Sequence, residues 1–505
     1  MKSKTCTCIV ALTLFAALAI PVQLAAQEKA KPAHHHQYHH YQINDVGTLG
    51  GPSSWLWAQF FGARVLNNQG TLAGLADTSA LDPYCFWSID CYTPHAFQWQ
   101  NGVTTDLGVV PGGMGSQVSW ISANGLMAGV SDNGQQDPLN PAYPQLHAVL
   151  WNHEQMTDLG TLPEGGYSSG SWAASVNNRG EVAGQAYNTI PDTNSMFGYG
   201  YQSRAFYWKN GVMQDLGTLG TGTDAMAGLI NEQGQVIGVS YTSSIPNAIC
   251  ASISSFTLTT GSFIWDKKNG MKDIGGLGGT CTLASNLNNR GQIVGGSSLT
   301  GDTLIHPFVW NAATGVTDLL DPSDSSYGFA GGENSHGDVA GGNCDSVKCY
   351  AVFWRKTGEK WQKTNLSTIG GFSWANSING SGQVVGNCGD GTNCAFLWED
   401  GGPIVDLNIL VPPGSGLQIN EGDQVNDLGE IAVQSADANG NNHVLLLIPC
   451  DENHPGVEGC DYRTVDADAV APVQAPQIAR APSGASRSGI TSASWGRLRT
   501  RTARR

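Results

Sequence analysis

The sequence has little charge and only one long apolar run. Charged residues make up 13% of its 505 residues. The apolar run, residues 9–20, follows Lys2 and Lys4 and precedes the small residues Ala25 and Ala26. This pattern predicts a cleavable signal peptide over residues 1–26 and a secreted protein, extracellular, periplasmic or on the cell surface. Since no later run is long enough to cross a bilayer, we expect no transmembrane segment.

Metal-site and nucleotide-site spacings are also missing. The chain contains no H-E-x-x-H, no phosphate-binding loop and no C-x-x-C pair. Ten cysteines follow the predicted leader, and they form neighbouring pairs with other spacings. We therefore predict disulfides rather than a zinc site, and an oxidising compartment. The neighbouring pairs are Cys85 with Cys91, Cys250 with Cys281, Cys344 with Cys349, Cys388 with Cys394, and Cys450 with Cys460.

The charge that is present is mostly acidic. The formal net charge is −16, and residues 471–505 hold seven arginines and no acid, so the rest of the chain is more acidic still. An acidic body repels phosphate backbones, which argues against nucleic acid as a partner of the folded domain.

Glycine is abundant, with 66 residues, and many of them recur in a repeat. Its anchor is a turn of the form Asn-x-x-Gly, in which Ser122 replaces Asn once, and a second glycine follows four residues later in seven copies. The turn glycines return every 45 to 57 residues, the period of a four-stranded propeller blade. The eight turn glycines are Gly70, Gly125, Gly180, Gly234, Gly291, Gly337, Gly382 and Gly429.

Each repeat also carries a Phe-x-Trp strand and an Asp-Leu-Gly strand. Apolar residues two apart share one face of a strand, so we expect the tryptophans to pack between blades. We expect the Asp side chains to face solvent or to bond their own turns, because separate blades would hold them too far apart for one metal ion. The set Trp99, Trp151, Trp208, Trp265, Trp310, Trp354 and Trp398 follows this pattern.

The two ends of the repeat array complement each other. Residues 42–51 supply a fourth strand without a third, and residues 443–449 supply a third without a fourth. We therefore predict an all-β protein, a β-propeller of about eight four-stranded blades over residues 42–450. Pairing of the N-terminal strand with the C-terminal strand would close its ring and leave no exposed edge.

The combined motifs resemble the probable extracellular repeat of the HAF family. His95-Ala96-Phe97 spells the motif, and the resemblance covers roughly residues 42–449. It implies an exported bacterial protein and assigns no catalytic residue.

The connections between second and third strands are predicted to be long in the first four repeats. We place them at about 75–94, 130–146, 185–203 and 239–260, all on one end of the propeller. Long loops on a rigid scaffold often carry function, and these contain aromatic rings and carboxylates, including Phe86, Tyr143 and Asp137. The candidate ligand-binding residues are Tyr84, Trp87, Tyr92, Tyr187, Tyr199, Tyr201, Asp90 and Asp192. The alternative is that the rings only pin the loops to the scaffold.

Both termini are predicted to lack regular structure. Residues 27–41 form a His-rich linker that is a weak metal-site candidate through His34, His35, His36, His39 and His40. Residues 451–505 are predicted to contain one disulfide and then, from about Asp461, a disordered basic tail.

The predicted function is a non-enzymatic binding or surface-interaction module, with a glycan or an extracellular protein as partner. No cofactor is predicted. The alternative is a secreted carbohydrate-active enzyme, hydrolase or lyase, that uses carboxylates of the long loops. A quinone-dependent dehydrogenase is a third class, suggested only by Thr357-Gly358 and Trp361.

Overall fold

The computed structural model describes residues 36–469 except 57–63, 89, 163–169, 255, 390–393 and 400. The predicted signal peptide, His34, His35 and the arginine-rich end of the tail lie outside the described residues. No helix in the described part is long and apolar enough to span a membrane.

Eight four-stranded antiparallel sheets form the blades; blades 1 to 7 follow chain order from the first to the fourth strand, and blade 8 takes its fourth strand from the N-terminal part of the chain. Blade 1 is β3 (Gly50–Trp55), β4 (Leu72–Leu81), β5 (Tyr92–Gln100) and β6 (Val103–Asp106). Blade 2 is β7 (Ser116–Ile121), β8 (Leu126–Gln136), β9 (Pro144–Asn152) and β10 (Gln155–Asp158). Blade 3 is β11 (Ser171–Val176), β12 (Val182–Pro191), β13 (Tyr201–Lys209) and β14 (Val212–Asp215). Blade 4 is β15 (Ala225–Ile230), β16 (Val236–Pro246), β17 (Leu258–Asp266) and β18 (Gly270–Asp273).

The remaining four blades have the same order. Blade 5 is β19 (Gly278–Leu287), β20 (Ile293–Leu299), β21 (Ile305–Asn311) and β22 (Gly315–Asp318). Blade 6 is β23 (Tyr327–Glu333), β24 (Val339–Cys344), β25 (Cys349–Thr357) and β26 (Lys360–Asn365). Blade 7 is β27 (Ser373–Ile378), β28 (Val384–Cys388), β29 (Cys394–Trp398) and β30 (Val405–Asp406). Blade 8 is β31 (Gln418–Val425), β32 (Ile431–Ala436), β33 (Asn442–Pro449) and β2 (Tyr41–Asp45).

Three short helical segments lie outside the blades' strands. Helix α1 covers Ala248–Ile253, and 3₁₀ turns cover Met196–Gly198 and Leu407–Ile409. The first two of these lie in the connections between second and third strands of blades 3 and 4.

The N-terminal strand closes blade 8, as predicted. Strand β2 pairs with β33 from Tyr41 opposite Pro449 to Asp45 opposite Leu445. His443 contacts Asp45 across the same junction at 3.0 Å. The two ends of the repeat array therefore share one sheet.

A ring of amide hydrogen bonds joins the Asn-x-x-Gly turns. The first Asn of a turn donates through Nδ2 to the carbonyl of the equivalent residue in the next blade, and Asn426 closes the ring by donating to Asn67 at 3.0 Å. The Oδ1 of the same Asn accepts the N–H groups two and four residues on. In blade 2, where Ser122 replaces Asn, Asn124 donates to Asn178 instead. The other links run from Asn67, Asn177, Asn231, Asn288, Asn334 and Asn379.

The second repeated glycine lets the first two strands of a blade approach closely. A Cβ at Gly184 would lie 2.0 Å from the carbonyl oxygen of Trp172. A Cβ at Gly129 or Gly386 would lie equally close to a carbonyl oxygen of the first strand. The register of the first strand shifts there, between Ala173 and Ser175 in blade 3. A larger residue therefore does not fit beside this bulge.

The repeated tryptophans pack between blades, as the strand pattern predicts. Trp151 and Trp354 are fully buried. The ring of Trp265 in blade 4 lies 5.0 Å from that of Tyr207 in blade 3. Trp310 is the half-buried exception.

The Asp of Asp-Leu-Gly bonds its own turn, which confirms the structural role predicted for it. Asp106 accepts the N–H of Gly108 at 2.8 Å and contacts Nδ1 of His95, the first residue of the His-Ala-Phe motif. His147 with Asp158 and His306 with Asp318 repeat this pair.

All five disulfides connect the predicted pairs. Four close short segments, whereas Cys250–Cys281 joins α1 of blade 4 to the first strand of blade 5.

The predictions for both termini need correction. Strand β1 (Gln37–His39) pairs with β34 (Thr464–Asp466), so the last part of the His-rich segment and the start of the tail form one small sheet. His36 donates its backbone N–H to Asp468 at 2.9 Å, and Tyr38 is 1% exposed. The reason is that Tyr38 is buried and donates its hydroxyl to the carbonyl of Pro403 at 2.9 Å, a contact that composition alone does not reveal.

Candidate functional site

The connections between second and third strands lie opposite the Asn ring, and we call this side the loop end. In blades 1 to 4 the second and third strands continue as long hairpins, so the irregular loops are shorter than predicted. They cover residues 82–91, 137–143, 192–200 and 247–257. The strands extend because their pairing resumes after a register shift, as between Asp77 and Leu81.

Each of these loops begins with the same hydrogen-bond pattern. The first residue of the loop donates its backbone N–H to a carbonyl at the end of the loop, and its side chain accepts N–H groups from inside the loop. Asp137 donates to Tyr143 at 2.9 Å and accepts from Leu139 at 2.8 Å. Asp82, Asp192 and Asn247 make the equivalent bonds. Because Asn247 serves as well as Asp, the turn itself does not require a charge.

The loops of blades 1 to 3 and their strands enclose a cleft. It contains about 410 Å³ of space that includes its open mouth. Only about 20 Å³ of this can hold the centres of water molecules, which is room for one or two. The loop-end cleft is lined by Phe86, Asp137, Asn140, Tyr143, Pro144, Leu146, Gly170, Ser171, Trp172, Gln185, Tyr187 and Tyr199.

Aromatic contacts lie between the first two loops and within the third blade. The rings of Phe86 and Tyr143 lie 5.6 Å apart, which joins the loops of blades 1 and 2. The rings of Tyr187 and Tyr199 lie 4.8 Å apart within blade 3. Trp87 packs against Gly115 of blade 2, where a Cβ would lie 2.4 Å from its Nε1.

Two polar atoms of the cleft wall are buried without a hydrogen-bond partner. They are Oε1 of Gln185, whose residue is 5% exposed, and the hydroxyl of Tyr187. A buried polar atom without a partner destabilises the fold by about 1–3 kcal/mol. Such atoms in a cleft are therefore positions where a ligand can supply the missing bond.

Asp137 carries a carboxyl group that lines the cleft. Burial raises its pKa, and the N–H groups of Leu139 and Asn140 only partly oppose this. Burial, with the nearby Asp137, Tyr199 and Asp224, also raises the pKa of the Tyr187 phenol. The cleft therefore favours uncharged forms of its own groups.

A pair of carboxyl groups, Asp192 and Asp224, lies beside the cleft, between blades 3 and 4. The Thr223 hydroxyl is 2.6 Å from Asp192 and 2.9 Å from Asp224. Burial raises the pKa of Asp224 to about 6, although Ser203 and Met196 donate N–H groups to it. One hydroxyl hydrogen cannot serve two acceptors at once, so this pair accommodates an extra proton.

Another pair of carboxyl groups, Asp77 and Asp90, lies in blade 1. Burial, and then the neighbouring Asp90, raise the pKa of Asp77 to about 8, while the N–H of Ser53 lowers it. Asp90 also accepts the Ser88 hydroxyl at 2.6 Å. At neutral pH the Asp77 side chain is therefore largely protonated.

The structure brings some predicted ligand residues together and not others. Tyr187 and Tyr199 line the cleft, Trp87 supports it next to Phe86, and Asp192 closes the base of the loop that carries Tyr199. Tyr84 is 49% exposed outside the cleft, and Tyr92, Asp90 and Tyr201 do not line it.

Gln185 and Trp172 were missed as site residues. The signal for Gln185 was its polarity: the positions after the second glycine in the flanking blades 2 and 4 are Val130 and Val239. A further motif was also missed, since residues 166–170 read G-x-S-x-G, and 163–169 lie outside the described residues. The element after Gly170 is a strand rather than the helix that gives this motif its chemistry, so we assign it no role.

Two of the three described histidines of the N-terminal cluster lie near carboxylates of the protein, and Nδ1 of the third, His39, is buried without a hydrogen-bond partner. His36 is 3.1 Å from Asp468, and His40 is 3.9 Å from Asp461. No group of three or more metal-ligating side chains occurs among the residues that the structure describes.

Comparisons with known proteins give a likeness of fold only. No family model matches the chain and no curated protein sequence is similar to it, so the HAF resemblance stays a prediction. Among solved structures, *Porphyromonas gingivalis* dipeptidyl peptidase 4 has 9% identity and a TM-score of 0.44, over 82% of this chain and 60% of that one. A *Mycobacterium tuberculosis* puromycin-hydrolyzing peptidase has 11% identity and a TM-score of 0.42, over 77% and 61%.

A third similar structure consists of a propeller alone. The β-propeller domain of the trilobed protease from *Pyrococcus furiosus* has 11% identity and a TM-score of 0.41, over 70% of this chain and 96% of that domain. The chain spans about three fifths of the two peptidases above. The predicted non-enzymatic binding module is not supported by these neighbours, which are described as peptidases, and at 9–11% identity they show the fold alone. No residue role is transferred at this identity.

Proposed function

We propose that the protein is an exported carbohydrate-active hydrolase whose substrate enters the loop-end cleft. The observation that carries the proposal is Asp137, a carboxyl group with a raised pKa between the aromatic walls of a cleft. A carboxyl group whose pKa is raised keeps its proton to higher pH, and such groups serve as general acids in glycoside hydrolysis. Aromatic faces beside hydrogen-bonding groups suit sugar rings. The five disulfides are compatible with an exported protein.

In the proposed reaction, Asp137 donates its proton to the glycosidic oxygen as the bond from that oxygen to the anomeric carbon breaks. Water adds to the anomeric carbon, and Asp192 accepts the proton that the water loses. Asp192 suits this role because it is partly exposed and starts the loop that presents Tyr199 to the cleft. The Thr223 hydroxyl lies 2.6 Å from the Asp192 carboxylate and can hold it in place. The experiment below tests both assignments.

The test is hydrolysis of a panel of oligosaccharides by the protein purified with its disulfides intact. New reducing ends are measured for the native chain and for Asp137→Asn and Asp192→Asn. Asn247 shows that Asn can cap this type of loop, so both variants should fold. We expect each to lower kcat by about 100-fold or more, the usual contribution of a general acid or base.

The matched control is Asp345→Asn. Asp345 caps the loop between β24 and β25 of blade 6 through Val347 and Lys348, far along the chain from the cleft. This variant should keep native activity. Absence of any new reducing ends, or equal activity in Asp137→Asn and the native chain, would contradict the proposal.

A further inference from the structure

We propose that the cleft binds the hydroxyl-bearing edge of a neutral sugar residue, with Gln185 accepting a hydrogen bond and Tyr187 donating one. This inference rests on the proposed function, because it names the substrate class of the same cleft. It concerns binding, however, and it is testable without turnover.

Gln185 differs in residue type from its equivalents in the flanking blades, and Tyr187 differs from its equivalent in blade 4 in its hydrogen bonding. Val130 and Val239 fill the position of Gln185 in blades 2 and 4 without any polar atom to satisfy. Tyr241 is the equivalent of Tyr187 in blade 4, and its hydroxyl accepts the N–H of Thr257 at 3.4 Å. Only in blade 3 does this pair of positions leave an amide oxygen and a hydroxyl buried without partners. The repeat itself therefore does not require them.

The free space fits a hydroxyl group. Room for one or two water molecules admits a hydroxyl or hydroxymethyl group, while a whole pyranose ring would have to remain nearer the mouth. A sugar hydroxyl both donates and accepts, so one such group, or two on adjacent carbons, can serve Gln185 Oε1 and the Tyr187 hydroxyl. The rings of Phe86 and Tyr199 line the same space and offer apolar faces to the C–H groups of the sugar.

The lining also selects against charge on the sugar. Among the described residues that line the cleft there is no Lys, Arg or His, and Asp137 carries their one carboxyl group. A uronic acid carboxylate at this position would face an acidic protein without a cation to pair with, and burial of an unpaired charge is costly. A neutral hexose meets no such penalty.

Equilibrium binding tests the inference directly. Titration calorimetry would use neutral tetrasaccharides of gluco, galacto and manno type, the corresponding uronic acid tetrasaccharides, and a short peptide with a free amine. We expect at least one neutral tetrasaccharide to bind, and Gln185→Val or Tyr187→Phe to weaken it about 10-fold. The valine is the natural residue of the flanking blades, so the variant should fold.

The control is Tyr327→Phe, which removes another buried hydroxyl without a partner, in blade 6. It should leave binding unchanged. Tighter binding of uronates or of the peptide, binding unaffected by Gln185→Val and Tyr187→Phe, or no binding of any probe would each overturn the inference. If neutral sugar binds as expected but is never cut, the binding site stands and the hydrolase proposal falls.

Discussion

The two ends of this propeller differ in how far they follow the repeat. One end of the propeller carries the Asn-x-x-Gly turns, and we call it the turn end. There the first residue of all but one turn is an Asn that bonds its own turn and the next blade, and the ring closes through Asn426. At the loop end, the described lining of the cleft comes from blades 1 to 3, and in blade 3 Gln185 and Tyr187 each leave a buried polar atom without a partner where the flanking blades do not. Repeated residues thus build the scaffold, and departures from the repeat mark the candidate site.

The comparison also separates structural carboxylates from candidate catalytic ones. Asp82, Asp137, Asp192 and Asn247 all start loops in the same way. Only Asp137 lines the cleft, and only Asp192 shares a hydroxyl with a second buried carboxyl group. The repeat explains why a polar residue is present at these positions, and the surroundings decide what else it can do.

The loop end should respond most strongly to pH. The folded protein holds the Asp77 proton more tightly than the unfolded chain, because its pKa is raised to about 8. Stability should therefore fall as pH rises from about 4 to about 8, and level off above that. Asp77→Asn, which keeps an oxygen for Ser53, should remove this fall and be more stable than the native chain at pH 8 by on the order of 3 kcal/mol.

Urea unfolding of both proteins at pH 5 and pH 8 measures this difference. A stability gap that is the same at both pH values would contradict the assignment of the proton to Asp77.

The turn end should lose stability when its ring is opened. Asn426→Ala removes the bond to Asn67 and two bonds to N–H groups of its own turn, so we expect a loss of about 2 kcal/mol. Asn124→Ala, at the exposed link of blade 2, should lose less than about 0.5 kcal/mol. Thermal and urea unfolding give both values, and equal losses would show that the ring is no more important than a surface contact.

The cleft residues should reduce the stability of the unliganded protein slightly. Gln185→Val and Tyr187→Phe each remove a buried polar atom without a partner, so each should stabilise the fold by about 1 kcal/mol. The same two changes should weaken sugar binding. A loss of stability in both variants would mean that these atoms have partners within the folded protein.

The repeat made the fold predictable, and it made the site less so. Glycine and tryptophan spacing predicted the blades, and the unmatched ends predicted the pairing of β2 with β33. Loop boundaries were misplaced because strand pairing resumes beyond the bulges, as at Tyr187 and Pro191. Tyr199 and Tyr187 were correctly expected at the loop end, but the spacing of aromatic residues along a loop does not show which rings line the cleft.

Gln185 shows the limit most clearly. Gln185 is polar where the flanking blades have Val130 and Val239, and this difference is visible in the sequence, yet its missing partner and its place in a cleft depend on loops from three blades. The small sheet of β1 and β34 was missed for a related reason, since two short polar segments pair only after the ring has brought them together.

The most direct test of the account is a crystal structure of the protein with its neutral tetrasaccharide, using Asp137→Asn to prevent cleavage. We predict sugar density in the loop-end cleft, with one hydroxyl within hydrogen-bonding distance of Gln185 Oε1 and a glycosidic oxygen beside residue 137. Sugar bound at the turn end, or a cleft that stays empty at saturating sugar, would contradict it.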